Sequence, residues 1–142
     1  MGKHGLITGF EPFGGHHVNP SESIVRSLDG RLIAGRSVVG RVLPVLTEGM
    51  RDRLETLLHD EQPDIIIALG LSAGRPALSL ERAAVNVLDF TVPDNAGTMR
   101  QHEPIVAGGP DARLCTIPFE PILDAWRKSG VPGYISNSAG TY

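Results

Sequence analysis

The sequence predicts an α/β fold of three layers, in which helices cover both faces of a mainly parallel, twisted sheet. Short apolar stretches alternate with segments whose apolar residues recur at helical spacing. The stretch 64–70, Asp-Ile-Ile-Ile-Ala-Leu-Gly, is apolar on both faces, as expected of a buried central strand. The 17 glycines and 11 prolines exclude a simple helical bundle. At 142 residues, the chain is about one domain long, so we expect a single domain over 1–142.

Capping residues and apolar spacing predict the first two helices. The first begins after Asn19, a good N-cap that is followed by proline and by Glu22, which can complete a capping box. The second is capped by Thr47 and stops at Pro63. Its predicted buried face consists of Met50, Leu54, Leu57 and Leu58.

The third helix is predicted from Pro118 to Gly130, and its buried stripe consists of Phe119, Ile122, Leu123 and Trp126. Strands are predicted over 5–8, 37–45, 64–70, 78–88 and 131–136, with loops or short hairpins over 89–115. The order β-α-β-α-β-β-α-β predicts an α/β/α arrangement. A small-residue turn that reaches Tyr142 without a following helix predicts a domain that lacks C-terminal elements.

Composition and charge exclude several classes of function. A net charge of −3 gives no basic surface for nucleic acid or anionic membrane. The longest apolar run, 65–71, is far shorter than the ~20 residues that span a bilayer. Five scattered histidines lack metal-ligand spacing, so neither a metal nor another cofactor is expected. One cysteine, Cys115, fits a reducing, cytoplasmic location, and its apolar surroundings predict a buried structural thiol.

Two phenylalanines stand in the glycine-rich segment 9–15, Gly-Phe-Glu-Pro-Phe-Gly-Gly, directly after the first strand. Loops after strands hold ligands in open α/β sheets. The segment lacks the spacing of a phosphate-binding loop. Either Phe10 and Phe13 fill the core, or they form an aromatic clamp for a small, flat, apolar ligand.

Glu81 lies among apolar residues of an extended segment, where a carboxylate needs a partner. One interpretation is a salt bridge with Arg75 or Arg82. The other is an acid that orients a catalytic histidine, as the third member of a nucleophile-base-orienter triad.

Taken together, these segments resemble type I pyroglutamyl peptidases, also called pyrrolidone-carboxylate peptidases. The resemblance covers essentially the whole chain. Its most specific parts are the Glu-Arg segment 79–86 and the Ser-Ala-Gly-Thr-Tyr segment 138–142. The other matching segments are 9–14, 19–21, 70–75 and 93–95.

The resemblance implies a cysteine peptidase that removes an N-terminal pyroglutamyl residue from peptides. Its triad is Cys, His and Glu, and Glu81 matches the glutamate. In the family, the nucleophilic cysteine follows the Ser-Ala-Gly-Thr-Tyr segment and the histidine comes later. Both are therefore expected after Tyr142, and the chain as written is expected to be inactive. Cys115 does not match the nucleophile.

The resemblance also implies how the substrate binds. Phe10, Phe13 and Tyr142 match the walls of the lactam slot, and Asn19 and the backbone of Leu71 match its polar contacts. Glu81, Phe10, Phe13 and Tyr142 are expected at one sheet edge. Leu71 stands where the family usually has glutamine, and Thr91 where it usually has arginine.

Two other functions are compatible with the sequence. The chain could be a non-catalytic module that binds a small ligand in the same slot. It could also be an unrelated α/β hydrolase, similar to nucleoside phosphorylases only in architecture. The expected partner is a peptide with N-terminal pyroglutamate, and a homo-oligomer is compatible with the sequence.

Overall fold

The computed structural model describes residues 4–142, whose contacts group them into two compact units. Unit 1 consists of residues 4–71 with Val92–Thr98, and unit 2 of Ser72–Thr91 with Met99–Tyr142. Among residues 4–142, no helix combines the length and the apolar character that crossing a membrane requires.

Unit 1 is built on a four-stranded, mostly parallel sheet. Its elements are β1 (His4–Phe10), α1 (Pro20–Leu28), β2 (Leu32–Ile33), β3 (Arg36–Leu43), α2 (Met50–Glu61) and β4 (Ile65–Ala68). The strand order is β2-β3-β1-β4, in which β1 runs parallel to both of its neighbours and the short β2 is antiparallel to β3. Parallel strands joined through helices confirm the predicted α/β class.

Helix α1 packs closely on the sheet because two glycines leave room for its backbone. A Cβ atom on Gly9 would lie 2.6 Å from the Ser21 carbonyl oxygen, and one on Gly40 would lie 2.8 Å from that of Val25. Val25 is only 1% exposed in this contact. The first turn of α1 is thereby held against the end of β1, where Phe10 stands.

Two predicted caps are made differently. Asn19 is the N-cap of α1 as predicted, but Glu22 pairs with Arg26 instead of closing a capping box. Helix α2 begins after Gly49, which adopts the left-handed conformation, and it has no side-chain cap. Thr47 does not cap it because its hydroxyl donates to Asp94 instead.

The prediction that 64–70 is a buried central strand is wrong. Within residues 4–142, β4 lies at an edge of its sheet, and Ile65, Ile66 and Ile67 are 43–49% exposed. The reason is that α1 packs against β1 and β3, and that β4 pairs only with β1 within residues 4–142. The predicted apolar face of α2 is likewise only partly covered, because no residue of that helix is fully buried.

Unit 2 contains two small sheets and one helix. Its elements are β5 (Leu78–Glu81), β6 (Ala83–Val85), β7 (Ala112–Leu114), α3 (Phe119–Lys128) and β8 (Gly133–Ser136). β5 is parallel to β8, and β6 is antiparallel to β7. The predicted strand 78–88 is divided at Arg82, whose N–H donates to Ser136 while its carbonyl accepts from Cys115. The strands of residues 4–142 therefore form three sheets rather than a single one.

Helix α3 confirms the predicted stripe in part. Leu123 is buried, and the Trp126 ring packs against β8 at Gly133, where a Cβ atom would collide with it. Cys115, in contrast, is exposed and not buried as predicted, because all three residues of the preceding β7 are exposed.

Candidate active site

The start of α1 fixes the backbone of the aromatic loop, which we define as residues 10–15. The Phe10 N–H donates to Ser21 Oγ at 2.9 Å, and this hydroxyl donates to Asn19 Oδ1 at 2.8 Å. Asn19 Nδ2 then donates to the Glu11 carbonyl at 3.1 Å. Asn19, which the resemblance assigns to substrate binding, is 1% exposed and connects the helix to the loop.

A second set of contacts holds the other side of the aromatic loop. Glu11 Oε1 accepts from the Val45 N–H at 3.0 Å and from Asn95 Nδ2 at 2.7 Å. The same Asn95 amide donates to the Pro12 carbonyl at 3.0 Å. Hydrogen bonds thus connect the loop to Val45 and to Asn95, which are both distant from it in sequence.

Asp94 orders the segment that carries Asn95. Its Oδ1 accepts from the N–H groups of Ala96 and Thr98, both at 2.9 Å. Its Oδ2 accepts from the N–H and the hydroxyl of Thr47, at 2.8 and 3.0 Å. Burial by itself would raise the pKa of Asp94, but these four hydrogen bonds favour the carboxylate and lower the pKa to about 2.

The aromatic side chains of this loop are partly accessible. Phe10 and Phe13 are both half-buried, and the Phe13 ring meets the His16 ring edge-on with centroids 6.5 Å apart. A turn closes from the His16 N–H to the Phe13 carbonyl at 3.1 Å. Leu71, at the end of unit 1, is also half-buried. These residues supply apolar surface on an ordered backbone.

Glu81 in unit 2 is the last residue of β5 and makes a charged cluster with two neighbours. Arg75 Nη1 donates to Glu81 Oε1 at 2.8 Å, and Ser79 Oγ donates to the same oxygen at 2.8 Å. Arg75 Nη1 also lies 3.1 Å from Ser79 Oγ. The salt bridge considered from the sequence is therefore made with Arg75. Arg82 instead lies over the Phe119 ring and donates to Asn137.

The second oxygen of Glu81 differs from the first. Oε2 is buried from solvent and has no hydrogen-bond partner among residues 4–142. A buried carboxylate oxygen without a partner is costly, because it has lost its hydrogen bonds to water and gained none from the protein.

Tyr142 and its neighbour Thr141 contact Asp89 and Phe90, which follow β6 in the chain. Its ring stacks on Phe90 with centroids 4.5 Å apart and an interplanar angle of 28°. Next to it, the Asp89 N–H donates to the Thr141 carbonyl, and the Thr141 hydroxyl donates to the Asp89 carbonyl. Phe90 is 4% exposed, whereas Tyr142 is 47% exposed.

Two contributors were missed from the sequence. Phe90 lies in what was predicted as a loop, where nothing indicates a buried aromatic. Asp94 has a sequence signal, because Asp-Asn-Ala-Gly-Thr is typical of a turn in which aspartate binds backbone N–H groups two and four residues ahead. Among the described residues, no group of three His, Cys, Asp or Glu side chains could hold a metal.

Comparison with known proteins decides the family. A family model described as pyroglutamyl peptidase matches residues 3–142. The chain belongs to the pyroglutamyl peptidase family. This confirms the resemblance and excludes an unrelated hydrolase that shares only the architecture.

Individual members of the pyroglutamyl peptidase family are similar along the same range. The pyrrolidone-carboxylate peptidase of Pyrococcus furiosus is 49% identical over 137 residues, which cover 96% of this chain and 66% of that protein. That of Thermococcus onnurineus is 47% identical, covering 96% and 68%. The crystal structure of the Pyrococcus furiosus pyrrolidone carboxyl peptidase matches with a TM-score of 0.95 at 48% identity, over 98% of this chain and 67% of that one. The chain thus spans about two thirds of the length of these relatives.

Proposed function

We propose that the protein is a cysteine peptidase that removes N-terminal pyroglutamyl residues from peptides, with Glu81 as the acid of its Cys-His-Glu triad. The observation that carries this proposal is the buried, unpartnered Oε2 of Glu81. An imidazole N–H is the donor that such an oxygen would accept from in a triad. The family match over residues 3–142 supports the same assignment.

In this proposal the nucleophile and the base come from positions after Tyr142, in the third of the relatives' length that this chain does not span. The thiolate attacks the carbonyl carbon of the pyroglutamyl residue, and the bond to the next residue's nitrogen breaks. The imidazolium gives its proton to that leaving amine, and water then hydrolyses the thioester. Glu81 keeps the imidazole oriented and stabilises its charged form.

The residues assigned to binding have distinct roles in this proposal. Phe10 and Phe13 supply apolar walls for a flat five-membered lactam that carries no charged amine. The Leu71 backbone supplies a polar contact, and Asn19 fixes the loop through the Glu11 carbonyl. Tyr142 supplies an aromatic ring that stacks on Phe90. The substrate is a peptide with N-terminal pyroglutamate, and the low cysteine content supports a cytoplasmic location.

The test requires a protein that contains the rest of the triad. We define the completed protein as residues 1–142 followed by the last third of the Pyrococcus furiosus relative, a junction supported by the TM-score of 0.95. We expect it to cleave pyroglutamyl p-nitroanilide and to leave prolyl p-nitroanilide intact. The prolyl compound is a matched control because it has the same ring size, a charged amine and no lactam carbonyl.

Glu81→Gln in the completed protein should lower kcat about 10²- to 10⁴-fold, because glutamine cannot stabilise the imidazolium. The melting temperature should stay the same. A folded completed protein that binds free pyroglutamate but cleaves neither compound would contradict the proposal and favour the non-catalytic binding module.

A further inference from the structure

The geometry around Glu81 assigns a role to two residues that the triad itself does not include. We propose that Arg75 and Ser79 are positioning residues, which bind Oε1 of Glu81 and reserve Oε2 for the catalytic imidazole. This inference rests on the proposed function, and it concerns which oxygen of Glu81 acts and what selects it.

The two oxygens of Glu81 differ in the hydrogen bonds that they accept. Both donors of the cluster converge on Oε1, each at 2.8 Å. Oε2 receives no hydrogen bond within residues 4–142, although it is buried. A structural ion pair would be most stable with an arginine fork across both oxygens. The arrangement present here places both donors on one oxygen and leaves the other without a hydrogen bond.

The chain builds this asymmetry from local geometry. Ser79 and Glu81 are separated by one residue on β5, so their side chains lie on the same face of the strand. Ser79 Oγ donates to Glu81 and lies 3.1 Å from the Arg75 guanidinium, so the three groups form a closed triangle. Rotation of the Glu81 carboxylate would break both contacts to Oε1, and the direction of Oε2 is therefore fixed.

Charge reinforces the geometry. Arg75 and Glu81 side chains are 33% and 29% exposed, so their attraction is only partly screened by water. The positive charge of the Arg75 guanidinium lies 2.8 Å from Oε1, so attraction adds to the hydrogen bond that holds this oxygen. The same pair holds Glu81 in place before any histidine approaches it.

The experiment compares variants of the completed protein by kcat and KM for pyroglutamyl p-nitroanilide. Arg75→Gln should lower kcat about 10- to 100-fold, the range found when a group that orients another functional side chain is removed. Ser79→Ala should lower it less, by about 3- to 10-fold, since it removes one of two donors. KM should change by less than about twofold, because neither residue is assigned a contact with the substrate.

Two readouts separate positioning from a merely structural role. Arg75→Lys should recover part of kcat, because one nitrogen of Arg75 makes both contacts and an ammonium can replace it. In a Glu81→Gln background, Arg75→Gln should cause no further loss of kcat, because the group it positions is gone. Arg127→Gln is the matched control, since it removes an exposed arginine-carboxylate pair of unit 2, 2.7 Å from Asp124, far along the chain.

The outcomes for the two proposals are distinct. If Glu81→Gln abolishes cleavage while Arg75→Gln and Ser79→Ala keep full kcat, positioning is overturned and the proposed function stands. Equal further losses in both backgrounds would also overturn it. A crystal structure of the completed protein gives an independent decision without activity. Arg75 and Ser79 on one Glu81 oxygen would support the inference, and a fork across both oxygens would refute it.

Discussion

Two carboxylates, one in each unit, differ in how many hydrogen bonds their oxygens accept. Asp94 in unit 1 receives four hydrogen bonds, two on each oxygen. Glu81 in unit 2 receives two, both on Oε1, and its buried Oε2 receives none within the described residues. Asp94 is saturated by its own chain, whereas Glu81 keeps one position open.

The difference separates an acid with a structural role from Glu81, for which we propose a catalytic one. The donors to Asp94 are mostly backbone N–H groups, so its purpose is to fix the turn 94–98 and, through Asn95, the aromatic loop. The donors to Glu81 are side chains that select one oxygen. A count of unfilled acceptor positions therefore predicts which acid substitution damages stability and which damages catalysis.

The largest stability effect should come from Asp94→Asn. The substituted amide turns one acceptor into a donor that faces backbone N–H groups, so at least two buried hydrogen bonds are lost. We expect the free energy of unfolding of the 142-residue chain to fall by about 3 kcal/mol in urea denaturation. Glu81→Gln should change it by less than about 0.5 kcal/mol, because its ion pair is partly exposed.

If Glu81→Gln lowered the free energy of unfolding more than Asp94→Asn does, the distinction between the two carboxylates would be wrong. It would mean that the Arg75 cluster is structural in the same sense as the Asp94 turn. Both variants are neutral isosteres of the residue that they replace, so differences in side-chain volume cannot explain the result.

The second effect is a pH dependence specific to Asp94. Its pKa is lowered from 3.8 to about 2 in the folded state, so its contribution to stability is complete above about pH 4. That contribution disappears as the pH falls from about 4 through about 2. Between these values the stability difference between the unsubstituted chain and Asp94→Asn should shrink by about 2 kcal/mol.

The measurement is a series of urea titrations of both proteins from pH 7 to pH 2. Between pH 6 and 7 the difference should be constant, because Asp94 is ionised in both the folded and unfolded states there. A difference that stays constant down to pH 2 would show that the four hydrogen bonds do not hold the carboxylate charged.

Several parts of this comparison could be predicted from the sequence. Asn19 caps α1, the strands β1 and β3 follow their apolar patterns, and Glu81 was recognised as an acid in need of a partner. These features depend on local spacing or on one specific motif. The sequence left Arg75 and Arg82 as equal candidates for that partner, because short-range order does not fix side-chain direction.

The errors have a common physical cause. Ile65, Ile66 and Ile67 form an apolar strand whatever covers them, and their burial depends on which elements pack beside β4. Thr47 has the chemistry of a helix cap, but Asp94, 47 positions away, takes its hydroxyl. In each case the outcome depends on residues that are distant in the chain. The local sequence pattern does not indicate which distant residues will be in contact.

The smallest predicted effect concerns the hydrogen bond by which Asn19 holds the aromatic loop. Asn19→Ser keeps an oxygen that can cap α1, but it removes the amide that donates to the Glu11 carbonyl. We expect a loss of about 1 kcal/mol in the free energy of unfolding, for one buried acceptor left without its donor. Asn19→Ala should cost about 1 kcal/mol more, because the cap is lost as well.

In the completed protein, Asn19→Ser should raise KM for pyroglutamyl p-nitroanilide more than it lowers kcat, since Phe10 and Phe13 are assigned to binding and Glu81 is untouched. Ser27→Ala is the control, because Ser27 donates only to the exposed Ile24 carbonyl one turn back in the same helix. If Asn19→Ser lowered kcat and left KM unchanged, the aromatic loop would have a role in the chemical step, and its assignment as a binding wall would be wrong.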